Sequence, residues 1–184
     1  MKKVLFINAS PTVGGNNDAL IETAMRAALA DGAECSYVKF REKAVGHCQA
    51  CYGCAATGVC VQKDDYAEIL ALAHEAEGVV LAVPIYYNCM ASQALTLIDR
   101  LCCTFACKNY KRGPKKKVAF MLTCTGSDVD EMTRHVRNIT TLPSVARAIT
   151  AERIEIFTGC GNDTCRTDAA YQERAKAVGT WLSE

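Results

Sequence analysis

Residues 3–20 read KVLFINASPTVGGNNDAL. Val4 to Ile7 form a short apolar run that suits a buried strand, and Asn8 ends it. From Asn16 onward, Leu20, Ala24, Ala27 and Ala28 recur at helical spacing until Asp31-Gly32 stops the helix. Between strand and helix lies a polar loop, residues 8–17. Its two glycines let the backbone turn tightly, and Ser10, Thr12, Asn16 and Asn17 supply side-chain donors. The amides opening the helix point outward at the positive end of its dipole, so a phosphate fits there without lysine or arginine. The loop matches neither GxGxxG nor GxxxxGK[ST], which counts against dinucleotide and P-loop readings. An ordinary polar turn with an asparagine cap is the alternative.

The same alternation continues along the chain. ECSYVKF (34–40) reads as a second strand. Asp64 and Asp65 open a helix, with Glu68 placed as in a capping box. Its inner face is Ile69, Leu70, Ala73 and Ala76, and Gly78 ends it. GVVLAVP (78–84) is the most apolar segment and fits a central strand covered on both faces. A helix from about Ala91 to Cys103 buries Leu95, Ile98 and Cys102. KVAFMLT (117–123) is the fourth strand. Ser127 caps a helix that starts with Asp128, Asp130 and Glu131. RIEIFTG (153–159) alternates as an edge strand does, and residues 168–182 form a last helix. Strands and helices in alternation imply parallel β-α-β units with right-handed crossovers, in one three-layer domain over residues 1–184.

Bulk properties agree. The 184 residues are half apolar, enough for a substantial core, and the formal net charge is +1. That balance argues against a nucleic-acid partner. No apolar run approaches the ~18 residues of a membrane helix, and the N-terminal run is too short for a signal segment. A cytoplasmic protein is expected.

In open parallel sheets ligands sit beyond the carboxyl ends of the strands. This directs attention to loops 8–17, 84–91 and 123–128. Pro84 stiffens the exit of the central strand, and Tyr86, Tyr87 and Asn88 offer aromatic surface and hydrogen bonds. Thr123 and Gly126 belong to a third polar loop. Together with Ser10, Thr12, Gly15, Asn16 and Asn17, these residues favour a mononucleotide with a planar ring, such as FMN. A tyrosine-rich turn packing on the next helix is the plainer reading of loop 84–91.

HCQACYGCAATGVC (47–60) departs from the regular pattern, as an insertion over about residues 46–62. Cys48, Cys51, Cys54 and Cys60 follow C-x2-C-x2-C-x5-C, and the short gaps let thiolates converge on one centre. Four thiolates suit a [4Fe–4S] cluster and also tetrahedral zinc. A disulfide or free-thiol state stays open. His47 beside them reads as a polar loop residue. The other eight cysteines (35, 89, 102, 103, 107, 124, 160 and 165) read mainly as small buried hydrophobes. Cys103 and Cys107 could share a helix face, and Cys160 and Cys165 could form a redox pair. The basic run KNYKRGPKKK (108–117) is a solvated loop or a docking patch for an acidic electron carrier. His74 and His135 have no recognisable catalytic partner.

SPTVGGNNDAL, PIYYN…ASQALTLIDR and CQACYGCAATGVCVQKDD occur here in an order and spacing that resemble the iron–sulfur flavoproteins. That family lies within the flavodoxin-like, NADPH-dependent FMN reductase superfamily. The resemblance runs from about residue 3 to 127. It implies a flavodoxin-like α/β fold with a five-stranded parallel sheet in order 2-1-3-4-5 and helices on both faces. It implies an oxidoreductase with FMN held at the strand ends. It also implies a [4Fe–4S] cluster on Cys48, Cys51, Cys54 and Cys60. NAD(P)H or a ferredoxin would be electron donor, and the assembly a homodimer or homotetramer. Thr12 stands where the family commonly has arginine, and Asn17 where it has threonine; both can still donate hydrogen bonds. Two other readings are a flavin, quinone or nitro reductase without a working cluster, and a zinc-stabilised binding module.

Overall fold

A computed structural model of the chain describes residues 1–101, 103, 107, 115–126, 128–140 and 150–184. The expectations for Cys102, for Ser127 as a cap and for residues 108–114 of the basic run lie outside the described residues. Among the described residues, β1 (Lys3–Asn8) leads through the glycine loop to α1 (Asn16–Ala30), then β2 (Glu34–Lys39). An irregular stretch precedes α2 (Tyr66–Glu75), β3 (Gly78–Tyr86), the two-residue β4 (Cys89–Met90) and α3 (Ser92–Arg100). Then come β5 (Lys117–Thr123), α4 (Val129–Thr140), β6 (Arg153–Phe157), α5 (Thr164–Thr167) and α6 (Ala169–Ser183).

The sheet order is β2-β1-β3-β5-β6, and every pairing along that path is parallel. This is the predicted 2-1-3-4-5 order with one addition: β4 folds back antiparallel on β3, Tyr86 opposite Cys89 and Ile85 opposite Met90. Strand alternation sends side chains to two separate cores. Leu5, Ile7, Leu81, Val83, Phe120 and Leu122 pack with Ile69 of α2, Leu97 of α3 and Met132 of α4. Val4, Phe6, Val80, Ala82, Ala119 and Met121 pack with Leu20 of α1 and Val178 of α6. Three layers result. β3 is buried over its first eight residues, as its unbroken apolar sequence requires, while β2 and β6 are the half-exposed edges.

Several local details differ from the sequence reading. The α2 capping box does not form. Asp65 turns its carboxylate to the Ala44 N–H at 2.7 Å, and Glu68 pairs with Lys43 at 2.6 Å. Tertiary partners outcompete the local cap because residues 44–46 run alongside. Nor does Gly78 end that helix. It opens β3, where an added Cβ would lie 3.0 Å from Leu182, so α6 packs directly on the strand's start. α3 ends at Arg100 rather than Cys103, and Leu95 is only partly buried. At α4, Asp128 accepts the Glu131 N–H at 2.8 Å, as a capping residue does. Two lysines of the basic run serve the fold. Lys116 donates to the carbonyls of His74 and Ala76 at the C-terminal end of α2, and Lys117 to that of Trp181 in α6. No helix among the described residues is long and apolar enough to cross a membrane.

Candidate flavin and metal site

α1 lies on one face of the sheet and α3 on the other, so the connections leaving β1 and β3 diverge between these adjacent strands. A crevice at the carboxyl ends follows from this topology.

The first loop is held from beneath. The buried Asn8 side chain accepts the Ser10 N–H at 2.9 Å and donates to Asp18 at 2.7 Å. Ser10 Oγ accepts the Thr12 N–H at 3.2 Å. Asp18 accepts the Gly14 N–H at 2.7 Å, the Tyr37 hydroxyl at 2.6 Å, and pairs with Arg41 at 3.1 Å. Gly14 has φ +68°, a left-handed conformation that suits glycine. Burial acts to raise the Asp18 pKa, but hydrogen bonds from Tyr37 and Gly14 together with Arg41 outweigh it and hold the carboxyl below its usual value. Asp18 therefore shapes the loop, a role its sequence position alone did not disclose. The one available signal was an acidic residue in the first turn, common to many helices.

The candidate phosphate residues divide into two groups. Both ends of the Asn16 side chain are engaged, donating to Gly161 O at 2.6 Å and accepting from Cys165 N at 2.8 Å. Its backbone N–H, at the helix start, is what it offers a ligand. The methyl of Thr12 sits where an added Cβ on Gly15 would be 3.0 Å away, so the loop closes tightly there. Asn17 is 2% exposed and accepts the Thr123 hydroxyl at 2.6 Å, joining the first and third loops. Its Nδ2 is buried without a protein partner. A buried amide donor left unsatisfied costs about 1–3 kcal/mol. An oxygen-rich ligand seated against it would remove that penalty.

Tyr86, Tyr87, Asn88 and Cys89 form the turn between β3 and β4. Tyr87 (φ 51°) and Asn88 (φ 56°) are both left-handed, which matches a type I′ hairpin turn. Asparagine tolerates this conformation; tyrosine does so at a cost of about 1–2 kcal/mol. The Tyr87 side chain is fully exposed at 103%. Pro84 is buried in β3 opposite Thr123, and its carbonyl accepts the Ala91 N–H at 3.1 Å. Gly126 is exposed on the third loop. His135 does gain a partner: its Nε2 is 3.7 Å from Cys89 Sγ, beside this turn. Only the packing of α4 against the β3–β4 side of the sheet could reveal that pair.

The cysteine segment leaves the carboxyl end of β2, the same end of the parallel sheet as the other three loops. Its neck is pinned by Asp65 N–H to Ala44 O (3.1 Å), Gly46 N–H to Asp64 (2.9 Å) and Gln62 to His47 O (3.0 Å). His47 Nδ1 also meets Thr96 Oγ1 at 3.1 Å, the polar loop role expected of it. Arg100, 1% exposed, anchors the neck. It forks onto Asp64 at 2.7 and 3.0 Å, donates to Gly46 O at 2.8 Å and to Cys60 Sγ at 3.3 Å, and stacks 4.3 Å above the Tyr66 ring. Hydrogen bonds from Arg100 hold the Asp64 carboxyl at about 2 against the opposing effect of burial. Cys54 is buried, Cys48 and Cys60 are half-buried and Cys51 is exposed. Among the described residues no three Cys, His, Asp or Glu side chains converge on a common metal position. Cys103 is buried, and that burial, with Cys54 and Cys60 nearby, pushes its thiol up to about 11. Cys107 is buried as well.

Comparison with known proteins matches this arrangement. A family described as NADPH-dependent FMN reductase matches residues 2–160. An iron-sulfur flavoprotein of Archaeoglobus fulgidus is 35% identical over 99 residues, 54% of this chain and 45% of that one. One from Methanocaldococcus jannaschii is 34% identical over 98 residues, 53% of this chain and 51% of that one. The chain thus spans about half the length of these curated relatives. A solved NAD(P)H:quinone oxidoreductase from Methanothermobacter marburgensis superposes with a TM-score of 0.73 at 16% identity, over 100% of this chain and 98% of that one, and so shares the fold. The chain belongs to the NADPH-dependent FMN reductase family and has its flavodoxin-like fold.

Proposed function

We propose that this protein moves electrons between a [4Fe–4S] cluster and FMN, delivering them to an acceptor. The observation that carries the reading is topological. The four-cysteine segment rises from the same end of the parallel sheet as the three loops that frame the flavin crevice. The names of the archaeal relatives add support.

The donor chemistry of the residues fits both groups, although among the described residues the four thiols do not converge on one position. For FMN, the buried Nδ2 of Asn17 and the α1 amides supply donors, with Ser10, Thr12, Gly15 and Asn16 around the phosphate. Pro84, Tyr86, Tyr87, Asn88, Thr123 and Gly126 would flank the ribityl chain and ring. For the cluster, Cys48, Cys51, Cys54 and Cys60 offer four thiols on one irregular loop, and Arg100 places a buried positive charge 3.3 Å from Cys60 to offset thiolate charge. When bound, FMN exchanges two electrons as hydride or one at a time, which lets it join a two-electron donor to a one-electron centre. The chain's own task is to hold the phosphate, fix the ring and exclude water. Asn17 and Thr123 perform the first part by tying two loops together. NAD(P)H or a reduced ferredoxin would be the donor, within a cytoplasmic homodimer or homotetramer. The wholly exposed Tyr87 supports a second chain covering this rim.

Anaerobic purification followed by an absorption spectrum and FMN, iron, sulfide and zinc analysis tests this. Flavin with iron and sulfide in equal amounts is expected, and Cys54→Ser should lose the iron while keeping the flavin. A colourless zinc protein would sink the reading. The spread of thiols from buried Cys54 to exposed Cys51 favours a second one, an NAD(P)H-dependent flavin, quinone or nitro reductase without a working cluster. Flavin without iron, and steady NADPH oxidation, would select it.

Two substitutions probe the crevice. Asn17→Leu removes the buried donor, so FMN affinity should fall roughly 10- to 100-fold, read from flavin fluorescence on release. Tyr87→Gly relieves a left-handed tyrosine and should raise folding stability by about 1 kcal/mol in urea unfolding while weakening flavin binding. Unchanged or tighter flavin binding would remove Tyr87 from the site.

A further inference from the structure

β6 runs into an exposed turn that carries Cys160 between Gly159 and Gly161, and α5 then presents Cys165. The two sulfurs are 3.5 Å apart. A disulfide needs about 2.05 Å, so bonding asks for an approach of roughly 1.5 Å. Backbone hydrogen bonds hold both residues, with the Cys160 N–H on Cys124 O at 2.9 Å, so the approach is a side-chain movement, and exposure makes Cys160 the outer sulfur. Cys165 is fully buried, and its N–H is fixed by Asn16 Oδ1 at 2.8 Å. Cys160 is 7% exposed and sits in a glycine-flanked turn in which Gly159 has φ +64° and an added Cβ would meet nothing within 4 Å.

We propose that Cys160 and Cys165 form a reversible dithiol–disulfide couple that exchanges two electrons with low-molecular-mass disulfides and thiols. Cys160 is the entry sulfur and Cys165 the resolving one. The Cys160 thiolate attacks a sulfur of RS–SR; that bond breaks and RS⁻ leaves with the electron pair. Cys165, having lost its proton, then attacks the Cys160 sulfur of the mixed disulfide and expels the second RS⁻. One RS–SR is reduced to two RSH, the two cysteines are oxidised to one disulfide, and their two protons end on the departing thiols. Excess RSH drives the reverse. The hydrogen bond from the Cys165 thiol stabilises the Cys160 thiolate and lowers its pKa against the effect of burial, which suits the entry role. The couple stands whether or not the chain carries a cluster.

Both cysteines fall in one tryptic peptide, residues 154–166, so the test is direct. The native, anaerobically purified holoprotein is equilibrated in glutathione buffers from fully reduced to fully oxidised, acid-quenched, alkylated, digested and analysed by mass spectrometry. The peptide should pass from two alkylated thiols to an unalkylated form lighter by two hydrogens, and return with dithiothreitol. Cys165→Ser should trap glutathione on Cys160 at least tenfold more than Cys160→Ser traps it on Cys165. The proposal is overturned if both thiols stay alkylatable in fully oxidised glutathione, or if the internal disulfide forms only after denaturation. Equal trapping on the two variants would overturn the assigned order of attack.

Discussion

Arg100→Met should lower stability by about 3–5 kcal/mol, because it leaves the Asp64 carboxylate beside a buried site without its partner. For a chain of this length that is a drop of roughly 10 °C in Tm. Arg100 holds both limbs of the cysteine neck, through Gly46 O on one side and Asp64 on the other, so the neck should open as well. Protease cleavage within residues 47–61 is the accompanying readout. The double variant Arg100→Met with Asp64→Leu should regain part of the loss, since paired removal leaves no orphaned charge. Acid titration gives a second check. Arg100 stays protonated throughout, so Asp64 carries the pH dependence. Its folded pKa of about 2 lies below the usual 3.8, so its contribution is complete above pH 3.8 and is lost as pH falls towards 2. At 15% side-chain exposure this amounts to roughly 2 kcal/mol, and the Arg100→Met protein should lack that segment of its acid-unfolding profile. An unchanged profile would show that the pair adds nothing to folding.

Gly179→Ala should be the other severe change. A Cβ on Gly179 would lie 1.9 Å from the carbonyl oxygen of Ala24 and 2.7 Å from its carbon. Both are backbone atoms of α1, so no side chain can swing away. Relief requires α6 to move off α1, opening the core in which Leu20, Ile21 and Ala24 meet Ala175, Val178 and Leu182. Overpacking costs typically 1–3 kcal/mol, and a backbone contact belongs at the upper end. Alanine's better helix propensity returns about 1 kcal/mol, leaving a net loss of about 2 kcal/mol, measurable by urea unfolding. α1 carries the first loop on its N-terminus, so FMN affinity should fall with stability. Full stability in Gly179→Ala would mean that the helices do not approach this closely.

The sequence by itself determined the architecture. Val4 to Ile7, the unbroken apolar run of β3 and the helical spacing of α1 and α2 are local patterns with one compact arrangement of parallel β-α-β units, and the three carboxyl-end loops follow from it. The cysteine spacing was equally legible, because spacing is a property of the chain alone, but the four thiols do not converge on one position among the described residues. Tertiary structure decided the rest, and each case is a contact between residues far apart in sequence. Asp65 and Glu68 gave up their local cap because residues 43 and 44 run beside them. Asp18 became the support of the first loop only when β2 and its following turn brought Tyr37 and Arg41 to it. Asn17 gained its hydroxyl donor from Thr123, across 106 positions, and its second polar atom was left buried and unspent. His135 met Cys89, and Arg100 met the cysteine neck, through the packing of α4 and α3 on one face of the sheet. Periodicity reports which face of an element is buried. It carries no information about which polar groups will meet once those faces are closed.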